Sequence, residues 1–243
     1  YRCLSFLSNT NLPYGCLTGI RPTKYLAELG VNAKEIFEKE FSVHGDKVKL
    51  VQSCVVNQIP YKNTKPETVV DVFVNIPFCP SRCAYCSFVS TVIGKQQSVV
   101  GPYIDCLKRE ISQIKKIIKD KKYSVRAVYV GGGTPTSLKI GELKAVLACL
   151  KFGQKEFTVE AGRPDTITKE TVKILRRAKV TRISVNPQSF NQKTLDKIGR
   201  THKVEDVINA YGLVRKKFDV NMDLIAMLPG ETFDDFKYLS LIH

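Results

Sequence analysis

Asn75-Ile76-Pro77-Phe78-Cys79-Pro80-Ser81-Arg82-Cys83-Ala84-Tyr85-Cys86 places three cysteines at C-x3-C-x2-C spacing. The run before it alternates as a strand does, with Val70, Val72, Val74 and Ile76 on one face. Thiolates are soft ligands, and a tight group of them selects Zn, Cu(I) or an iron–sulfur cluster. A structural zinc site takes four ligands, usually as two closely spaced pairs. No second pair follows here: the next cysteine is Cys106, and the histidines are His44, His202 and His243. A cubane of four irons takes one thiolate per iron. Three cysteines therefore leave one iron open to a small ligand, to which it can pass an electron. Ordinary buried thiols, or half of a zinc site, are the bland alternatives, and a thiol group at loop spacing rarely lacks a ligand role.

The rest of the composition suits such a site. Of the 243 residues, 43% are hydrophobic, enough for a sizeable core, and no stretch is long enough to span a membrane. The N-terminus carries no signal-peptide pattern. Eight cysteines without secretory features point to a reducing compartment and to metal binding, so a cytoplasmic location is expected. The net charge of +15 favours anionic partners such as nucleic acid, an anionic membrane surface or a polycarboxylate. The cations are dispersed (Lys115-Lys116, Lys119, Lys121-Lys122, Arg176-Arg177, Lys216-Lys217), which reads mostly as solvated faces and makes nucleic acid an unexpected partner.

Upstream of the cysteines, residues 1–66 read as a mainly helical accessory region. Pro22 opens a helix that Gly30 closes, Asn32 and Glu35 have capping-box spacing, and a third apolar-periodic segment runs from about Asp46 to Asn57. Residues 67–243 alternate strands and helices. Strands are expected at Val69–Ile76, Val125–Val130, Glu156–Ala161, Thr181–Val185 and Asp219–Leu228. The first helix should bury Ile104, Leu107, Ile111, Ile114 and Ile118 on one face, and others follow near 140–150, 168–178 and 204–216. A last helix starts behind a Thr232/Asp235 capping box. Five βα units imply an α/β fold with a parallel sheet, either open and doubly wound or a complete or partial barrel.

Functional groups collect at the strand ends of such folds. After the second strand stands Gly131-Gly132-Gly133-Thr134-Pro135, whose lack of Cβ atoms lets the backbone lie flat against a ligand. By itself this is weak, since a tight turn explains it equally, and it fits neither G-x-G-x-x-G nor the P-loop. Glu160 ends the third strand, Asn186-Pro187-Gln188-Ser189-Phe190 follows the fourth, and Asp223 lies in the fifth. One polar residue of this kind could be a satisfied core group. Several around one rim are better explained by a shared polar ligand.

Taken together, Asn-Ile-Pro-Phe-Cys-x3-Cys-x-Tyr-Cys, Gly-Gly-Gly-Thr-Pro-Thr, Asn-Pro-Gln-Ser-Phe, Ile-Gly-Arg-Thr-His and Asp-Leu-Ile-x-Met-Leu-Pro-Gly-Glu-Thr resemble the radical S-adenosylmethionine (SAM) enzymes. Within them they look like the oxygen-independent coproporphyrinogen III oxidases. Glu-Ala-Gly-Arg-Pro-Asp and Leu-Thr-Gly-Ile-Arg-Pro-Thr-Lys (17–24) are most similar to the HemZ branch. The resemblance implies a partial (β/α) barrel in which Cys79, Cys83 and Cys86 hold a [4Fe-4S] cluster. The backbone around Tyr85 would flank the adenine of SAM, and Gly132, Gly133 and Thr134 would meet its methionine moiety. Glu160, Gln188, Arg200 and Asp223 align with positions that bind SAM, or a second SAM, and Phe73 joins the same set. A guanidinium such as that of Arg200 also suits a carboxylate on physical grounds, against the bland reading of a helix-surface arginine. His202 reads as structural.

The activity so implied is oxidative decarboxylation of coproporphyrinogen III propionates to vinyl groups through a 5′-deoxyadenosyl radical. Its partners would be a tetracarboxylate porphyrinogen and a low-potential electron donor such as a flavodoxin or ferredoxin. Phe73 and Asn75 stand where those oxidases carry tyrosine and histidine, and Ser87-Phe88 replaces a further cysteine. Related proteins with the shorter pattern include haem chaperones, so a haem-delivery protein is the alternative reading, and an RNA-modifying radical SAM enzyme a second. The chain begins at Tyr1 without methionine and is expected to be a fragment that lacks a sixth strand and a covering region, with His243 inside its last helix.

Overall fold

The computed structural model describes residues 1–62 and 65–240. The chain divides into two compact units, Tyr1–Thr64 and Lys65–His243. In the first, α2 (Pro22–Leu29), α3 (Ala33–Glu35) with a π-helical continuation (Ile36–Glu40), and α4 (Gly45–Gln58) surround a small core to which α1 (Arg2–Ser8) adds no buried residue. That core is Leu17, Leu26, Ala33, Phe37, Val43, Val48 and Val51. Pro22 opens α2, and Gly30 ends it with φ 66°, as its lack of a Cβ permits. The capping box expected at Asn32 does not form. A 3-10 turn over Gly30–Asn32 leads straight into α3, leaving Asn32 at φ −87°, ψ 1° rather than in the extended conformation a capping side chain needs.

The second unit is built on five parallel strands in the order β1 (Val69–Ile76), β4 (Ser124–Gly132), β5 (Glu156–Glu160), β6 (Arg182–Ser184), β7 (Asp219–Asn221). Both β1 and β7 are edges, so the barrel is incomplete, and no sixth strand joins the sheet among the described residues. The helices α5 (Gln97–Asp120), α6 (Ile140–Cys149), α7 (Lys169–Arg177) and α9 (Val204–Val214) pack on the core with the apolar side chains of the strands. The alternation in β1 is as expected: Val74 and Ile76 are buried, whereas Asp71, Phe73 and Asn75 turn to the other face. In α5 the apolar stripe is buried from Val100 to Ile111, Ile114 is 36% exposed, and Ile118 packs, half-buried, against the core again.

Three features depart from the periodicity. The expected long fifth strand stops at Asn221, and just beyond it Asn221 Nδ2 donates to Asp223 Oδ1 at 2.8 Å. Only a single bridge, Gln188 with Leu224, continues the pairing. A second, two-stranded parallel pair, β2 (Phe78–Cys79) with β3 (Thr91–Val92), brackets the cysteine segment. A short helix, α8 (Gln192–Lys197), precedes the Ile-Gly-Arg-Thr-His motif. The Thr232/Asp235 capping box does form, with Thr232 N donating to Asp235 Oδ2 at 2.8 Å and Asp235 N to Thr232 Oγ1 at 3.2 Å, and it opens α10 (Phe233–Ser240). His243 lies outside the described residues. Among the described residues no helix is long and apolar enough to cross a membrane.

Candidate functional site

The cysteine segment leaves β1 at its C-terminal end and is pinned at several points. Its base is the β2–β3 pair, in which Cys79 sits opposite Val92. Cys86 N donates to Cys83 O at 3.1 Å, and Ala84 N to Ile198 O at 2.9 Å. Ser81 Oγ donates to Gly199 O at 2.9 Å. Gly199 has φ 76°, and a Cβ there would lie 2.9 Å from Arg82 O, so the segment can approach this closely only over a glycine. Thr134 Oγ1 donates to Cys79 Sγ at 3.5 Å. The three thiols are free and partly exposed.

The glycine run closes the neighbouring rim. Gly133 N donates to Ile76 O at 2.8 Å and Thr134 N to Phe78 O at 2.7 Å. A Cβ on Gly132 would lie 1.8 Å from Asn75 Oδ1, and one on Gly133 2.6 Å from Phe78 O. The amides of Gly133 and Thr134 are thus spent inside the protein. What the three glycines leave a ligand is a surface free of side chains.

On the open face of the sheet, Tyr129 of β4 donates its hydroxyl to Glu160 Oε1 at 2.6 Å and stacks on Phe73, with ring centroids 5.8 Å apart. Burial, then the bond to Glu160, raises the Tyr129 phenol well above its ordinary pKa, and Glu160 and Asp223 reinforce the rise through their charge. Tyr129 therefore stays a proton donor throughout the physiological range. Phe73 and Glu160 thus contact Tyr129, and the charge of Asp223 reaches its phenol. Tyr85 belongs to the cysteine side. Burial pushes its phenol up to about 12, Arg200 pulls against that, and Cys83 adds to it.

Arg200 is 5% exposed, so it is no helix-surface arginine. Its terminal nitrogens donate to Asn186 O and, at 3.1 Å, to Gly162 O, tying the ends of β5 and β6 together. No carboxylate among the described residues forms an ion pair with it, and its Nε has no partner. The Asn186 Oδ1 and Gln188 Oε1 atoms are also buried and unpartnered. Gln188 adopts φ 67°, held there by Gln188 N to Asp223 O and Ile225 N to Gln188 O, each 3.0 Å. Non-glycine residues occupy that region at a cost, and such strain gathers at ligand sites.

These residues fit a cluster and a zwitterionic ligand. Among the described residues, no three His, Cys, Asp or Glu side chains converge on one ion. A cluster with one thiolate per iron asks instead for soft donors on separate corners. A buried guanidinium lacking a carboxylate and two orphaned amide oxygens are what a polar, partly anionic ligand would satisfy.

Three groups escaped the sequence reading. Tyr129 could have been found from register, because it alternates with Gly131 and so faces away from Val128 and Val130. Arg163 stood in plain view in Glu-Ala-Gly-Arg-Pro-Asp, yet nothing local announces that it is 2% exposed. Ser189 and Glu231, buried and hydrogen-bonded to each other, meet only through the fold.

Residues 74–240 match the sequence profile of the Radical SAM superfamily. The chain is 38% identical over 93% of its length to the oxygen-independent coproporphyrinogen-III oxidase-like protein HemZ of Bacillus subtilis, covering 48% of that protein. It is 36% identical over 68% of its length to the heme chaperone HemW of the same organism, covering 45% of it. The coproporphyrinogen III oxidase HemN of Escherichia coli, a radical SAM enzyme, superimposes with a TM-score of 0.62 at 26% identity, over 71% of this chain and 40% of that one. The chain spans about half the length of the curated relatives it matches.

Proposed function

This chain belongs to the radical SAM superfamily, and from that premise we propose that it takes part in oxygen-independent oxidative decarboxylation of coproporphyrinogen III propionates to vinyl groups. Members of the superfamily use a [4Fe-4S] cluster and SAM, which when bound supply one-electron chemistry ending in abstraction of a hydrogen atom. Cys79, Cys83 and Cys86 would hold the cluster, with the Thr134 hydroxyl bonded to Cys79 Sγ. Tyr85, Gly132, Gly133, Thr134, Gln188 and Arg200 would hold SAM on the cysteine side. Phe73, Glu160 and Asp223 would complete its binding from the open face, where Tyr129 fixes the Glu160 carboxylate. The single observation that carries this reading is the cysteine loop pinned beside Arg200, a buried cation with two carbonyl partners and no carboxylate.

The substrate, a tetracarboxylate, suits a chain of net charge +15. The reaction also requires a low-potential one-electron donor such as a flavodoxin or ferredoxin. The test is anaerobic reconstitution of the full chain followed by iron and sulfide analysis, alongside Cys83→Ala. Wild type should hold four irons and four sulfides, and the variant should lose them. With SAM, reductant and coproporphyrinogen III, the product should be the vinyl porphyrinogen together with 5′-deoxyadenosine. Deoxyadenosine without decarboxylation would remove the oxidase reading, and zinc with freely alkylated thiols would remove the cluster.

The 36% identity to HemW favours a second reading, haem binding and delivery by a chain that keeps the cluster and SAM site. Saturable haem binding with transfer to an apo-acceptor, in the absence of decarboxylation, would select it.

A further inference from the structure

Arg163 is among the most deeply buried large side chains of the protein and the mechanism above gives it no task. Its guanidinium reaches three separate parts of the chain. Nη1 donates to Ser81 Oγ at 2.7 Å, between Cys79 and Cys83. Nη2 donates to Thr201 Oγ1 at 2.7 Å, in the segment after Arg200. Nε lies 3.3 Å from Asp165 Oδ1, so its charge is paired at the rim of β5. Ser81 is bound at both ends, since it accepts from Arg163 and donates to Gly199 O at 2.9 Å. The backbone adds Ala84 N to Ile198 O.

A planar guanidinium holds several partners at fixed angles, which a lysine cannot do. A charge-assisted bond kept from water is also stronger than an ordinary one. Three thiolates must stay in one relative arrangement to bind three corners of a cubane, and a loop free to flex would lose that arrangement between binding events. We propose that Arg163 is a positioning residue for the cysteine loop. Through Ser81 it fixes the loop against the 198–201 segment, so that Cys79, Cys83 and Cys86 are preorganised before the cluster is inserted. The proposal rests on those three thiols being the cluster ligands.

The test uses the full chain reconstituted anaerobically, with wild type, Arg163→Ala, Arg163→Lys, Ser81→Ala, the Arg163→Ala/Ser81→Ala double variant and Cys83→Ala. Two quantities are read besides activity: the rate of iron loss to a chelator, and the rate at which the thiols of the apo-protein are alkylated. Loss of the bonds from Arg163 and to Gly199 O should speed both about ten-fold in Ser81→Ala. Its thermal midpoint should change little, because Ser81 lies at the surface of the core. The double variant should fall short of the product of the two single effects, since both substitutions cut the Arg163–Ser81 link while Ser81→Ala also cuts the bond to Gly199 O, and Arg163→Lys should not restore the wild-type rates. If Arg163→Ala fails to fold, Arg163→Lys and Ser81→Ala decide together, since Arg163→Lys leaves the Ser81–Gly199 bond in place. Wild-type rates of iron loss and alkylation in Ser81→Ala would overturn the proposal. Retention of the cluster by Cys83→Ala would instead overturn the ligand assignment beneath it.

Discussion

At the scale of single residues, position within the fold decides how much a side chain is worth. Gly132 has φ 102°, and a Cβ there would collide with Asn75 Oδ1. Gly132→Ala should therefore destabilise the protein by about 1–3 kcal/mol, read from chemical denaturation, and Asn75→Ala should rescue it only in part because the backbone strain remains. Tyr129→Phe deletes the donor to the Glu160 carboxylate and should weaken SAM binding measured by calorimetry, while leaving the stack on Phe73 in place. His202 is 1% exposed with neither ring nitrogen partnered. Burial, then the guanidinium groups of Arg200 and Arg163, holds its pKa down at about 4, against 6.5 for the free group. The unfolded chain thus takes up a proton that the folded one refuses. This contribution to stability is complete above about pH 6.5, falls as the pH drops towards 4, and is worth at most about 3 kcal/mol. Urea midpoints at pH 7 and pH 5 should differ less for His202→Gln than for wild type.

At the scale of elements, the sheet carries a run of charges near the N-terminal ends of its strands, away from the cysteines. Arg126 Nε donates to Asp71 Oδ1 at 3.0 Å across β4 and β1. Arg182 Nη1 lies 3.3 Å from Glu156 Oε1 across β6 and β5, and Thr158 Oγ1 donates to the same carboxylate oxygen at 3.1 Å. A register shift between Val70 and Asp71 leaves Arg126 as an extra residue beside Asp71, while Ala127 faces Glu156 and Arg182 faces both Thr158 and Asp219. These side chains are 39–46% exposed, so solvent screening decides their strength. A double-mutant cycle on Asp71 and Arg126 should give a coupling below about 1 kcal/mol that shrinks with added salt. The caps of the helices are of another kind. Thr168 Oγ1 accepts from Thr171 N at 3.1 Å at the start of α7, and Thr168→Ala should cost about 1 kcal/mol without salt dependence.

At the scale of the whole molecule, two compact units have separate cores, one around Phe37 and Val48, the other around the sheet. All three candidate cluster ligands lie in the second. Binding to the native state alone stabilises by mass action. Removing the iron should therefore lower hydrogen-exchange protection around 79–92 and 198–201, while the amides of Val48 and Val51 keep theirs.

The alternation from Val69, the C-x3-C-x2-C spacing, the Pro22 and Gly30 signals and the Thr232/Asp235 box were legible in the sequence, because each depends on neighbours a few residues apart. So was the gathering of unusual residues at strand ends, which follows from parallel topology alone. The tertiary structure decided what depends on distant partners. It ended the fifth strand at Asn221, bracketed the cysteines with β2 and β3, and let Tyr129 meet Glu160. It also buried Arg200 as a brace between two carbonyls, and carried Arg163 to Ser81, 82 residues away. Local spacing fixes which groups a chain can present; only the closing of long loops fixes which of them touch.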